Sequence, residues 1–592
     1  MSRIGVFICH CGLNIAGTVD VERVAEEIRG YPGVAYSVDY KYVCSDPGQD
    51  LIKQAIAEHD LDGIIVAACS PTMHEVTFRK TATAAGLNPY LCEIANIREQ
   101  CAWVHQSQPE EATAKAIETI KTIVEKVRYD ESLVPLTLPL VKGALVIGGG
   151  IAGLQAALDI AGAGYPVILV EKESHLGGRM ARLSGIYLNF DTASNLLASR
   201  IETVTNHPNI QVITEAEVEE VGGYVGNFTV KVRTFVNSGF VNSEVVDSPE
   251  STNLRIPNLR VYDVGAIVVA TGYDLYPKER LGQYGGGQYP DVIDGLQFER
   301  MLAPDGPTGG QIRRPSDGKV AGEVVWVQCA GSRDPELHKP YCSKVCCMYV
   351  AKQAILYKRQ VPEGQAYVFY IDVRSAGKGY EEFVQQAMEQ YDVLYLRGKV
   401  SKVFQDDGRV VVWGADTLTG KPVEIAADLV VLAMATVPSQ GAKDLGQRLR
   451  IATDEHGFFS EAHPKLRPVE SLTAGVYLAG AAQFPKDIPE AIAQASGAAA
   501  KVLSLFSQRE MVQEPIIAYV DEELCSACGL CIEACPYEAR EMHPWKNLVA
   551  VNVALCQGCG ACVVACPNKA SAVRNFATEQ VFAMVEALTY KT

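Results

Sequence analysis

No run of 18 apolar residues occurs in this 592-residue chain, so no segment of it reads as a membrane-spanning helix. The opening residues, Met1-Ser2-Arg3-Ile4-Gly5-Val6-Phe7-Ile8-Cys9, are too short an apolar run for a secretory leader and read as a strand. Positive charge is in deficit: 53 Lys and Arg face 70 Asp and Glu. The net charge of −17 argues against nucleic acid as a partner and suits a soluble protein, expected to be cytoplasmic. Between residues 101 and 329 there is no cysteine, although the chain has 18. Disulfide-dense proteins are small, and this one is not, so its thiols point to metal or redox chemistry. Hydrophobic content of 48% over this length supports several cored domains.

The cysteines that are present fall into groups. Cys525, Cys528 and Cys531 precede Cys535-Pro536, and Cys556, Cys559 and Cys562 precede Cys566-Pro567. Each run reads C-x2-C-x2-C-x3-C-P, the spacing of a two-cluster ferredoxin, in which the fourth Cys of each run ligates the other 4Fe–4S cluster. The expected sets are therefore Cys525, Cys528, Cys531 and Cys566, and Cys556, Cys559, Cys562 and Cys535. Zinc knuckles rarely use four thiols at this spacing with Pro behind the fourth. Six cysteines lie before residue 102, and four lie between 329 and 347.

Apolar runs and helical periodicities place a small parallel α/β domain at 1–130. Strands are expected at 4–9, 34–43 and 63–68, and helices at 19–29, 49–58 and 111–127. Residues 131–142, with Pro135 and Pro139, read as an extended linker. A large α/β region follows at 143–508, interrupted by a strand-rich stretch at 227–262. The ferredoxin module spans 513–575, and 576–592 reads as an amphipathic helix.

Ala144-Leu145-Val146-Ile147 is an apolar strand that runs into Gly148-Gly149-Gly150-Ile151-Ala152-Gly153 and then a helix. Gly148, Gly150 and Gly153 supply the tight turn, the close approach to pyrophosphate and the helix–strand packing. Ile151 and Ala152 open the helix whose free N–H groups face the phosphates. A second strand ends in Glu171, followed by Lys172, where a carboxylate accepts ribose hydroxyls. Gly178 and Arg179 follow in a Gly-Gly continuation, Ala270, Thr271 and Gly272 form an Ala-Thr-Gly motif, and Gly480 and Ala481 end a late strand. These resemble the FAD-contacting segments of two-dinucleotide flavoproteins, so FAD is expected rather than NAD. Ala481 stands where such proteins usually carry Asp.

A second nucleotide lobe would begin at the strand 323–327. No G-x-G-x-x-G follows it; the chain reads Gln328-Cys329-Ala330-Gly331. Cys342, Cys346 and Cys347 come next, entering a helix at 348–359. Four thiols in nineteen residues occupy the place of a pyrophosphate loop, and a further iron–sulfur cluster on Cys329, Cys342, Cys346 and Cys347 is expected. The other possibility is a redox dithiol at Cys346-Cys347. At the N-terminus, Cys9 and Cys11 end the first strand, Cys44 the second and Cys69 the third, and carboxyl ends of parallel strands converge. A fourth cluster is expected on Cys11, Cys44, Cys69 and Cys101, with Cys9 as the substitute and 97–104 helical. Buried structural cysteines are the alternative.

Taken together, Cys9-His10-Cys11-Gly12, Cys44-Ser45-Asp46-Pro47-Gly48, Cys69-Ser70-Pro71, Asn96-Ile97-Arg98-Glu99, the 148–153 loop, the 329–347 thiols and the tandem ferredoxin runs resemble the A-subunit family of heterodisulfide reductase over nearly the whole chain. The resemblance implies a thioredoxin-reductase-like two-dinucleotide-binding α/β fold, with an N-terminal α/β domain and a C-terminal α+β two-cluster ferredoxin domain. It also implies an oxidoreductase that bifurcates electrons at FAD. The implied partners are catalytic and iron–sulfur subunits of the heterodisulfide-reductase type, a donor subunit such as a hydrogenase or formate dehydrogenase, and ferredoxin, in a homodimer of the complex. Many relatives carry an inserted ferredoxin domain, and cysteine near 189–194. Neither 227–262 nor 189–194 holds a Cys here, which implies a shorter variant with four clusters. Glu299 and Lys352 are the expected polar groups at the flavin ring, since Lys352 lies one turn past Cys347. Two other functions stay open: a linear electron relay, and an NAD(P)H flavoenzyme of the glutamate synthase small-subunit type.

Overall fold

Apolar runs buried on both faces make the strands of three parallel sheets in this computed structural model, which describes residues 2–237 and 255–589. The chain divides into two compact units, one of Met1–Leu138 with Val512–Thr592, the other Pro139–Met511.

In the first unit, Ile4–Cys9 and Gly63–Ala68 are buried at every position and form the centre of a four-stranded sheet. Its order is Val34–Tyr40, Ile4–Cys9, Gly63–Ala68, Cys92–Asn96, all parallel. The expected strands and helices are present, the second strand ending at Tyr40. Elements not anticipated include the edge strand Cys92–Asn96, the helix Pro71–Ala84 and the short helix Leu13–Ala16. The helix expected at 97–104 is a single π-helical turn, Arg98–Ala102.

The ferredoxin module in this unit is two antiparallel strand pairs, Ala518–Val520 with Ser571–Val573 and Arg540–Met542 with Val549–Val551. Short helices Leu530–Glu533 and Ala561–Val564 carry the third Cys of each run. The terminal helix runs Thr578–Thr589 and packs on Pro109–Val127; residues 590–592 of the expected helix lie outside the described residues.

In the second unit, the parallel sheet Val476–Leu478, Ala266–Val269, Ala144–Ile147, Val167–Val170, Ile210–Ile213 is joined by an antiparallel three-stranded sheet of Ala216–Tyr224, Asn227–Asn237 and Arg255–Val264. The latter two cover the strand-rich stretch expected at 227–262, of which 238–254 lies outside the described residues. A second lobe repeats the plan. Its parallel order is Val292–Asp294, Leu429–Met434, Glu323–Ala330, Gln365–Tyr370, Leu394–Arg397, with the antiparallel trio Lys402–Asp406, Arg409–Asp416 and Lys421–Ala427. Tyr273–Leu275 and Thr436–Pro438 pair antiparallel where the chain passes between the lobes. Two such lobes in tandem are the two-dinucleotide-binding flavoprotein architecture of the thioredoxin-reductase type.

A buried cation sits inside the first unit. Lys126, 1% exposed, donates to Glu93 at 2.7 Å and to Asp130 at 3.1 Å, and its Nζ lies 4.6 Å from the centroid of the Phe576 ring. Burial pushes the Asp130 carboxyl up to about 7, against the pull of Lys126. A Lys126→Met substitution leaves Glu93 and Asp130 without their cation and is expected to cost about 3–5 kcal/mol, read as a lower urea midpoint. Because Asp130 binds its proton more tightly folded than unfolded, the deficit should shrink as pH is lowered through about 7. An undiminished deficit at acidic pH would assign the loss to packing instead.

Candidate flavin and iron–sulfur sites

The first lobe's glycine loop has the close contacts that the fingerprint requires. Gly148 takes φ 108° directly after its strand, and a Cβ there would lie 2.4 Å from the Ala270 carbonyl. A Cβ on Gly153 would fall 1.8 Å from the Gly148 carbonyl oxygen, so the helix Ile151–Gly162 can approach the turn only with glycine there. A Cβ on Gly150 would meet nothing within 4 Å: this side of the loop is open, and no side chain caps the helix start. The unpaired N–H groups of that first turn are what a pyrophosphate would take up. Glu171 is buried. Its two oxygens accept from Gly149 N at 2.6 Å and Glu173 N at 2.8 Å, which holds the carboxylate beside the loop with lone pairs to spare.

The other expected contacts gather around this loop. A Cβ on Gly178 would lie 3.1 Å from Gly150 Cα. Arg179 donates to the Tyr273 carbonyl at 3.2 Å and pairs with Asp274, a partner that sequence reasoning missed. Gly480 has φ 66°, and a Cβ there would meet the Ala152 methyl at 2.7 Å; Ala481 beside it is buried. The Thr271 hydroxyl is buried with no partner, an orphan polar atom of the kind a bound group satisfies. Lys172, by contrast, is exposed. The open glycine loop, free helix start and orphan hydroxyl fit a dinucleotide.

Glu299 and Lys352 form one buried pair, Nζ to Oε2 2.7 Å. Lys352 also donates to the Gly185 carbonyl at 2.7 Å. Glu299 receives the Ser184 hydroxyl at 2.8 Å and Gln353 Nε2 at 2.9 Å. Ser184 and Gln353 were not foreseen. Their roles depend on neighbours 115 and 54 residues away from them, which no local pattern reveals.

In the second lobe, Cys329, Cys342, Cys346 and Cys347 border one recess together with Arg333, Asp372 and Arg374. Cys329 takes φ 57° and shifts the register of its strand; Lys344, between Cys342 and Cys346, takes φ 60°. Cys346 and Cys347 are the first two residues of the helix Cys346–Gln360. Cys342 Sγ accepts from Lys344 N at 3.3 Å and Cys347 Sγ from Arg374 N at 3.4 Å. Burial pushes Cys347 up to about 11, raises Cys329 against the pull of Arg333, and holds Cys346 well above the ordinary range. These are soft donors that ionise only when a metal displaces their protons, which fits an iron–sulfur cluster.

At the N-terminal sheet edge, Cys9 and Cys11 flank the end of the first strand, Cys44 precedes the helix Asp46–Glu58, and Cys69 follows the third strand. Cys9 Sγ accepts from Cys11 N at 3.3 Å and shares an electrostatic environment with Cys11 and Cys44; Cys69 does so with Cys11. Arg98 reaches Cys11 Sγ at 3.5 Å. Cys101 of the expected set has Thr119 as its neighbour. It is fully buried, and its sulfur lies 3.7 Å from the Thr119 hydroxyl on the helix Pro109–Val127. Cys92 opens its parallel strand and so lies at the opposite sheet edge.

In the ferredoxin module, Cys525, Cys528, Cys531 and Cys566 border a common recess, three from one run and the last from the other. Cys535 Sγ accepts from Ala539 N and Cys556 Sγ from Ala518 N, each at 3.3 Å, and Cys562 Sγ from the Arg540 guanidinium at 2.9 Å. Burial opposes ionisation of Cys566, but the N–H groups of Ser571, Ala570 and Asn568 outweigh it and hold the thiol below the ordinary range. Among the described residues, no three His, Cys, Asp or Glu side chains close on a point as around a single metal ion, and no helix is long and apolar enough to cross a membrane.

Residues 143–209 match an FAD binding domain family and 517–567 a 4Fe-4S dicluster domain family. Both cofactor modules of an electron-transferring oxidoreductase are thus present. Among solved structures, thioredoxin reductase of T. acidophilum covers 62% of this chain and 98% of its own, at 19% identity and a TM-score of 0.39; the fold assignment rests on the strand orders instead. Among curated proteins, an iron–sulfur A-subunit of the CoB–CoM heterodisulfide reductase of Methanopyrus kandleri is 43% identical over 91% of this chain and 91% of its own length. The A-subunit of the H(2):CoB–CoM heterodisulfide,ferredoxin reductase of Methanothermobacter thermautotrophicus is 42% identical over 99% and 97%. The A-subunit of the corresponding H(2)/formate enzyme of Methanococcus maripaludis is 40% identical over 91% and 90%. With identities of this size along nearly its full length, the chain belongs to the A-subunit family of heterodisulfide reductase.

Proposed function

We propose that this chain is a cytoplasmic electron-branching subunit, which takes electrons in pairs from a donor protein of its complex. It sends them singly to a high-potential acceptor and to ferredoxin. The observation that carries the reading is the exchange in the second lobe: where a nucleotide-binding loop belongs, the strand Glu323–Ala330 ends in Cys329 at φ 57°, beside Cys342, Cys346 and Cys347. A lobe that would deliver hydride is equipped instead to carry single electrons. FAD, when bound, supplies the conversion between paired and single electrons, and each cluster carries one. Gly148, Gly150 and Gly153 admit the pyrophosphate, and Glu171 is placed for the ribose. Lys352 and Glu299 are assigned to the flavin ring, with Nζ held in place by the Gly185 carbonyl.

In this reading the chain carries four clusters. One set is Cys329, Cys342, Cys346 and Cys347; two are the cross-ligated ferredoxin sets; the fourth is Cys9, Cys11, Cys44 and Cys69, with Cys9 in place of Cys101. The relatives are named for hydrogen, formate, a heterodisulfide and ferredoxin, which supports a donor subunit of the hydrogenase or formate dehydrogenase kind. In the same reading, other heterodisulfide-reductase-type subunits lead to the acceptor, and the complex is a homodimer.

The anaerobic chain should hold one FAD and about sixteen irons, four per cluster. Cys347→Ser and Cys9→Ser should each lose about four irons and keep FAD, while Cys101→Ser keeps the full iron content. Iron loss in Cys101→Ser with retention in Cys9→Ser would restore the ligand set expected from sequence.

NADH and NADPH should leave the flavin of the isolated chain oxidised. Stoichiometric bleaching by either would favour the glutamate-synthase-like reading.

With its partner subunits bound, the complex should reduce ferredoxin only while the high-potential acceptor is present, in roughly equal electron amounts. Acceptor reduction with no matching ferredoxin reduction would make the chain a linear relay.

A further inference from the structure

The two halves of the ferredoxin module repeat each other in backbone as well as in spacing. Left-handed residues recur in register: Ala527 and Gly558 at φ 55° and 63°, Gly529 and Gly560 at 79° and 77°, Glu538 and Lys569 at 51° and 57°. By the same register, Arg540 in one half corresponds to Ser571 in the other, each five residues after the fourth Cys and each opening a strand. The side chains differ in charge. The Ser571 hydroxyl bonds Cys566. Arg540 is 4% exposed, its Nη2 lies 2.9 Å from Cys562 Sγ, and its Nη1 is buried with no partner. Among the described residues, no carboxylate lies within ion-pair distance of this guanidinium. A guanidinium does not lose its charge in a protein, and a buried charge without a counter-ion is strongly destabilising. The negative charge that Arg540 faces is therefore that of the module's ligand sulfurs, Cys562 at hydrogen-bond distance and Cys531 of the other set within electrostatic reach, and of whatever they bind.

We propose that Arg540 is a potential-setting residue: its counter-ion is the cluster of Cys535, Cys556, Cys559 and Cys562, which it places at the higher potential of the pair. Reduction adds an electron to a cluster that is already negative. A buried cation bonded to a ligand sulfur favours that added charge more than the neutral hydroxyl of Ser571 does at Cys566 of the other set. With both clusters bound, the charge of Arg540 would favour an electron on the set of Cys535, Cys556, Cys559 and Cys562 over the set of Cys525, Cys528, Cys531 and Cys566, one being oxidised as the other is reduced. This asymmetry gives a module with two alike binding loops a preferred direction. The inference rests on the two-cluster reading of the module.

The test is an EPR-monitored redox titration of the full anaerobic chain, with iron determined in the same samples. In Arg540→Gln, the higher of the module's two potentials should fall by at least about 59 mV, a tenfold change in the one-electron ratio, while the other moves less. Arg540→Lys keeps the charge and should stay near wild type. Unchanged potentials in a fully loaded Gln variant would overturn the proposal, as would an equal fall in the Lys variant. If Gln loses a cluster and Lys does not, the charge is needed to hold it, and the proposal stands; loss from both overturns it. A wild-type chain without two interacting clusters in this module would refute the two-cluster reading itself.

Discussion

Burial keeps a thiol protonated, and the architecture of this chain depends on something overcoming that. Desolvation raises Cys9, Cys329, Cys346 and Cys347. The loops that gather thiols also adopt backbone that L-residues resist: Cys11, Cys329, Arg333, Lys344 and Ala527 all have positive φ. Such residues cost on the order of 1–2 kcal/mol each, and they persist only where something else stabilises the loop. Iron–thiolate bonding is the interaction of the right sign for both terms, because it removes the proton and closes the loop at once. The same reasoning explains why these segments make little secondary structure of their own while the strands beside them are wholly buried.

What was legible in the sequence was local. The ferredoxin runs put three of each set's four ligands within seven residues, and the 148–153 loop is equally local, so spacing carries the chemistry. The alternation of strands and helices revealed the first lobe, and the thiols in place of a glycine loop revealed how the second departs from it. The proposed N-terminal set was only partly legible, because its members come from strand ends and an intervening turn. Counting along the chain could not tell that Cys101 faces the helix that carries Thr119. The strand Cys92–Asn96 carries Glu and Asn at a sheet edge, and the helix Pro71–Ala84 is rich in Thr with a narrow apolar stripe, so neither announced itself. The Lys352–Glu299 pair was found as two residues but not as a closed network, since Ser184 and Gly185 belong to the other lobe.

One physical device recurs at each cofactor locus, with a different donor each time. A parallel strand ends, the chain turns, and a helix begins, which leaves N–H groups and the positive end of a helix dipole at the sheet's carboxyl edge. After Ala144–Ile147 the turn is glycine, so that backbone N–H groups themselves can meet a phosphate. After Glu323–Ala330 the helix starts with Cys346 and Cys347, and the same potential acts on thiolates. After Gly63–Ala68, Cys69 precedes the helix Pro71–Ala84; Cys44 likewise precedes the helix Asp46–Glu58. A negative group of either kind, pyrophosphate or iron-bound thiolate, is stabilised by this geometry. If the second lobe carries a cluster as proposed, its thiols stand at an edge already suited to negative charge.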